Sequence, residues 1–195
     1  MTAEKIYKRI LTAFIAYVLL LNTLTFLTTF NPKQLLNPFH IRNRTISVYH
    51  LTRHVILVSG IAFRPIPREV VNEKAVRLSE EFGIDPELVK IVIDVESEYN
   101  KFAISRTGAM GLMQLMPATF NDMSDGDPFL MEDNLRAGIK YLTQQLARFR
   151  NTELALSAYN AGPTTVTSFG NRIPDYGETQ HYVKKIMGRY RPKGN

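Results

Sequence analysis

The sequence predicts a mainly α-helical domain of about 120 residues preceded by a single N-terminal transmembrane helix. Three observations lead there. From Glu69 onward apolar residues recur at helical spacing, with no alternating strand pattern among them. Asp, Pro and Gly stand where these runs begin and end. Upstream, Ile10 to Phe30 holds no charged side chain for 21 positions, about the length that crosses a bilayer.

The chain of 195 residues has room for one ordinary domain plus extensions, and it shows no internal repeat. It lacks cysteine, which excludes disulfides, thiolate nucleophiles and Cys-ligated zinc. The net charge of +6 is uneven. Residues 1–68 carry nine Lys/Arg against one acid, and residues 69–195 carry fifteen against seventeen. The folded part is therefore near neutral and offers no basic footprint for nucleic acid. The positive charge lies beside the apolar segment, where anionic lipid would attract it.

Taken in order, residues 1–9 form a basic flank with Lys5, Lys8 and Arg9. Residues 10–30 are the expected membrane anchor. The alternative, a cleaved signal segment, would need a shorter apolar core and small residues at a cleavage site, and no A-x-A pattern follows here. Lys33, Arg42 and Arg44 balance the basic flank, so charge alone does not orient the anchor. Residues 31–68 read as a membrane-proximal linker with turn signals at Asn31-Pro32 and Asn37-Pro38 and a stiff end at 64–68. Within it, Val55 to Phe63 is apolar but too short to span, and reads equally as a strand or a docking segment.

Residues 69–195 form the expected domain. A first helix, Glu69 to Phe82, is stopped by Gly83. A second runs from Pro86 to Tyr99, with Asp85 as its N-cap. A Gly-rich loop leads to a short helix opened by Pro117. Between Glu132 and Phe149, Leu135, Ile139, Leu142, Leu146 and Phe149 make a helical apolar stripe. A shorter helix from Thr152 to Asn160 is broken at Ala161-Gly162-Pro163. Tyr182, Val183, Ile186, Met187 and Tyr190 mark a last amphipathic helix.

Glu96 breaks the pattern of its helix. Glu87, Lys90, Asp94 and Glu98 gather on one face, whereas Glu96 projects among the apolar residues opposite. Burial disfavours the charged form of a carboxyl group and raises its pKa, as a general acid near neutral pH requires. The plainer reading is a structural acid paired with a buried Arg or Tyr. The loop from Ser105 to Pro117 has two glycines three apart, three methionines and Gln114. It suits close backbone approach and adaptable apolar contact, although methionines at this spacing more often belong to a core. It lacks the lysine of a phosphate loop. Tyr159 and Asn160, side by side at a helix end, read either as a core tyrosine and a cap or as polar groups facing a cleft. His50 and His54 are four apart but have no accompanying acid, so no metal site is expected. No G-x-S-x-G elbow is present, and Ser97 has no His nearby in sequence.

These segments, in this order, resemble the catalytic domain of the lytic murein transglycosylases of the soluble type, a domain related to goose-type lysozyme. Glu96-Ser97 resembles the family's catalytic Glu-Ser at a helix end. Residues 108–117 resemble its G-x-x-G-L-M-Q-x-M-P signature. Asp127-Pro128-Phe129, Asn134, Ala137-Gly138 and Tyr141-Leu142 resemble the next segment. Residues 158–163 resemble A-Y-N-A-G-P, and residues 176–183 the closing G-E-T-x-x-Y-V. The similarity covers about residues 70–190 and leaves the first 68 untouched. Two departures affect loops: Asn100-Lys101 stands where Asn-Pro is usual, and residues 121–126 are polar and short.

The resemblance implies a lysozyme-like fold and a substrate, peptidoglycan, cut at the β-1,4 bond from N-acetylmuramic acid to N-acetylglucosamine without water. Glu96 would serve as acid and then base, leaving 1,6-anhydromuramyl ends, with no metal or cofactor. Gln114 and Tyr159 would position the acid or the sugar. Ser105, Met113 and Asn160 would contact the glycan, and Glu178 would line the cleft. The implied location is the bacterial inner membrane, with the domain facing the periplasm or cell exterior. Beyond the glycan strands and the membrane, no partner is specified. The alternatives are a hydrolase like goose-type lysozyme, for which Asp122, Asp125 and Asp127 are the loop acids in reach, and a non-catalytic wall-binding scaffold.

Overall fold

The computed structural model describes residues 42–43, 45–51 and 66–191. The expected anchor at 10–30 and the apolar stretch at 55–63 lie outside these residues. Among the described residues, no helix is long and apolar enough to cross a membrane.

Seven helices form the domain: α1 (Arg68–Phe82), α2 (Pro86–Ser97), α3 (Pro117–Met123), α4 (Met131–Phe149), α5 (Thr152–Ala161), α6 (Pro163–Ser168) and α7 (Gly177–Met187). Five of them close a ring: α2 packs on α1, α1 on α4, α4 on α5, α5 on α7, and α7 returns to α2. The core fills this ring. Val89, Val92 and Ile93 enter it from α2, and Leu135, Ile139 and Leu142 from the stripe of α4. Each such side chain contributes about 1.5–3 kcal/mol when taken from water.

The sequence-predicted boundaries of α1, α2, α4 and α5 hold to within two residues, whereas the last helix starts five residues before Tyr182 and ends three before Tyr190. Asp85 caps α2, its carboxylate accepting from the Glu87 N–H at 3.0 Å. The helix ends at Ser97, two residues before Tyr99, because Glu98 and Tyr99 both take left-handed backbone angles (φ 52° and 67°). Tyr99 therefore leaves the apolar face of α2. Its hydroxyl donates to Asn72 of α1 at 2.9 Å, and the Arg68 guanidinium lies over its ring. Glu98 likewise falls outside the helical charge stripe. Helix α6 is an addition to the expected set; Pro163 both ends the Tyr159 helix and opens the next one.

The loop between α2 and α3 folds on itself through two isolated antiparallel bridges, Ile104 to Met110 and Met110 to Leu115. Gly111 (φ 75°) lets this loop press against Asn134 and the Pro128 carbonyl, which a Cβ would strike. Gly138 on α4 likewise admits Met113, whose side chain occupies the space a Cβ would need. Inside the stretch expected to be a linker, residues 45–51 are helical, and Ser47 and Leu51 are buried against the domain.

Candidate active site

The bend after α2 puts Glu96 at the floor of a polar cleft of about 310 Å³. Its walls come from the 105–116 loop, from Tyr141 of α4, from the α5–α6 junction, and from Glu178 at the start of α7. Glu96, Ser105, Gln114, Tyr159, Asn160 and Glu178 all line this one space, although they are spread over 83 positions of sequence.

Glu96 is partly buried, and its carboxyl pKa is pushed from 4.5 up to about 8. Burial is the main cause. The Glu178 charge adds to the rise, whereas a hydrogen bond from Tyr182 and the charge of Lys185 oppose it. The Tyr182 hydroxyl donates to Glu96 Oε1 at 2.6 Å. Tyr159 sits close enough that burial first, and the Glu96 charge next, push its phenol well above the usual value; burial and the same charge act on Tyr182. The two sequence readings of Glu96 thus coexist: it is an acid paired with a buried tyrosine, and it faces a cleft.

The loop is held by side chains from several helices. Ser97 Oγ donates to the Leu112 carbonyl at 2.8 Å, tying the end of α2 to it. Tyr159 donates to the Met113 carbonyl at 2.7 Å, so its hydroxyl is spent on the scaffold while its ring faces the cleft. Asn134, almost fully buried, accepts from Met113 N–H at 2.8 Å and donates to the Met110 and Pro128 carbonyls at 3.0 and 2.8 Å. Gln114 takes a left-handed conformation (φ 46°), and its amide donates to Ala103 and Gly111 carbonyls. Asn160 accepts from Thr179 at 2.8 Å, joining α5 to α7.

Met113 is a correction. Its relative exposure is 0% and it packs beneath Gly138, so its side chain is core and does not reach the cleft. The thioether fills a gap between loop and helix, which is the ordinary use of methionine. Asp122, Asp125 and Asp127 do not line the cleft; Asp127 accepts from the Phe129 N–H in its own turn. Among the described residues no cluster of His, Asp or Glu suits a metal, and His54 lies outside them.

Sequence reasoning missed Tyr182 as a partner of Glu96, and Thr107, Thr119 and Tyr141 as cleft walls. One signal was available for Tyr182. It follows Glu178 by four positions, so both share a face of α7. Nothing comparable marked the others, whose placement depends on how the loop folds over α4.

Residues 75–180 match the Transglycosylase SLT domain family. Over 115 residues the chain is 33% identical to a transglycosylase of Enterobacteria phage PRD1, covering 58% of this chain and 43% of that protein. Over 107 residues it is 37% identical to the membrane-bound lytic murein transglycosylase F of Desulfosudis oleivorans, covering 51% and 22%. Its fold is similar to the crystal structure of the 70 kDa soluble lytic transglycosylase of Escherichia coli, with a TM-score of 0.56 at 24% identity, covering 77% of this chain and 28% of that one. The domain is accordingly mainly helical and lysozyme-like. The chain spans less than half the length of each of these relatives.

Proposed function

The chain belongs to the Transglycosylase SLT domain family, and on that premise we propose that it cleaves the glycan strands of peptidoglycan as a lytic transglycosylase. One observation carries this reading: a carboxyl group pushed up to about 8 at the floor of a polar cleft. Near neutral pH such a group holds its proton, and it is a strong enough acid to release it to a leaving oxygen.

The reaction follows from that group. Protonated Glu96 donates to the oxygen between N-acetylmuramic acid and N-acetylglucosamine. The N-acetyl group of the substrate stabilises the positive anomeric carbon, as in glycosidases that use one acid with substrate assistance. Glu96, now a carboxylate, takes the proton from the C6 hydroxyl as that oxygen attacks C1. The attack is intramolecular and gains from proximity. The product carries a 1,6-anhydromuramyl end, and no water is consumed. Tyr182 holds the carboxyl group through Oε1. Ser105, Gln114, Asn160 and Glu178 offer polar groups to the glycan, and Tyr159 offers a ring face.

A second reading, hydrolysis, draws on Glu178, the other carboxylate on the cleft wall. It would direct a water to C1, as a second acid does in other glycosidases. Mass spectrometry of digested sacculi separates the two, because anhydro ends are lighter than reducing ends by one water, about 18 Da. The expected result is anhydro product from the wild type and almost none from Glu96→Gln. Reducing ends would favour hydrolysis, and absence of either product from both the wild type and Glu96→Gln would favour a wall-binding scaffold.

The substrate lies outside the cytoplasm. We therefore place residues 31–195 on the periplasmic or outer side of the inner membrane, held by the apolar segment at 10–30. Protease added to spheroplasts is expected to digest the domain; protection would overturn this orientation.

A further inference from the structure

Residues 42–43 and 45–51 precede the matched family residues, yet Ser47 among them bonds the Gly108 carbonyl, in the turn that carries one wall of the cleft. Asn43, Ser47 and Leu51 are spaced four apart, and all three are buried (7%, 0% and 6% exposed), whereas Arg42, Thr45 and Tyr49 on other faces are exposed. They make one helical face turned to the domain. Leu51 joins the hydrophobic core. Ser47 Oγ lies 2.9 Å from the Asn43 carbonyl and 2.5 Å from the Gly108 carbonyl. A hydroxyl has one proton, and the shorter contact reaches across 61 positions of sequence.

Gly108 is buried at the back of a tight turn from Ser105 to Ala109. The turn is closed by local bonds: Ser105 N–H to the Ala109 carbonyl at 2.9 Å, Gly108 N–H to the Ser105 carbonyl at 3.1 Å, and Ala109 N–H to Ser105 Oγ at 2.9 Å. These bonds fix the shape of the turn, the Ile104–Met110 bridge ties its base to the loop, and Ser47 adds a contact to its Gly108 carbonyl from outside the loop. Its other side, Ser105, Thr107 and Ala109, forms cleft wall. Without Ser47 the Gly108 carbonyl would lose its bond in a buried place, which a turn relieves by moving toward water.

We propose that Ser47 is a positioning residue: by donating to the Gly108 carbonyl it fixes the Ser105–Ala109 wall against which the glycan binds. This rests on the transglycosylase reading for its substrate, though not for its structural consequence. The segment that precedes the matched family residues thereby takes part in shaping the binding cleft.

The test uses the full chain with Ser47→Ala and Ser47→Thr. In Ser47→Ala, amide exchange at Ser105, Gly108 and Ala109 should accelerate roughly 2- to 10-fold, the range that one hydrogen bond spans. The apparent KM for sacculi should rise by a similar factor, while kcat and the alkaline limb of the pH profile stay within about twofold of wild type. Ser47→Thr, which keeps the hydroxyl, should restore both readouts. Unchanged exchange and KM in a folded Ser47→Ala would overturn the proposal. So would a joint fall of kcat and melting temperature that Ser47→Thr does not rescue, since that pattern marks a general packing role. The exchange readout needs no turnover: a wild type without anhydro product sinks the transglycosylase reading alone, and unaltered exchange in the variant sinks this one.

Discussion

Glu96 is held between opposing influences, and its pH behaviour follows from them. Burial and Glu178 keep the proton on, while Tyr182 and Lys185 favour its loss, with a net rise to about 8. A general acid must be protonated at the start, so kcat/KM should fall as pH rises through about 8. Glu96→Gln should lose about 10²–10⁴-fold in turnover, read from anhydro product release. Tyr182→Phe removes a bond that favours the charged form, so the alkaline limb should move to higher pH. The same group bears on stability. Between its ordinary value of 4.5 and about 8 the folded state binds more proton than the unfolded chain, so stability falls as pH rises across that window. Glu96→Gln should abolish this loss. Its melting temperature should exceed that of wild type by at least about 4 °C at pH 9, with little difference at pH 4.

Among the elements, the loop of residues 103–116 depends most on its neighbours. Asn134 satisfies two carbonyls and one N–H of this region from a single amide. Asn134→Ala should cost about 2–4 kcal/mol in denaturant unfolding, because three buried backbone groups lose their partner together. Gly138→Ala should also destabilise, since the new methyl displaces Met113 from its packing on α4. Helices α1, α4 and α5 were legible from the sequence because period, caps and breakers are local. The end of α2 was not. Ser97, Glu98 and Tyr99 continue a helical pattern, and the chain turns there because Ser97 bonds Leu112 and Tyr99 bonds Asn72, groups far away in sequence. For Met113 the residues by themselves favoured a core methionine, as its burial under Gly138 has it; the expected glycan contact came from the resemblance and not from the spacing.

At the scale of the whole molecule, the ring of helices lets α7 complete the site begun on α2, 86 positions apart between Glu96 and Tyr182. The surface ion pairs, such as Lys74 to Glu132 at 2.8 Å and Arg136 to Glu81, are substantially exposed. Raising salt to about 1 M should therefore shift the melting temperature only slightly, because exposed pairs contribute little and are screened. By itself the sequence determined the helical class, singled out the acid at position 96, and named five of the residues that share its cleft. These depend on period, charge and short motifs, which are properties of neighbours along the chain. Only the tertiary structure decided that Tyr182 grips the acid, that Asn134 holds the loop, and that Ser47 meets the Gly108 carbonyl. Each depends on a contact between distant segments, and no local pattern encodes which buried hydroxyl meets which carbonyl or carboxyl once the ring has closed.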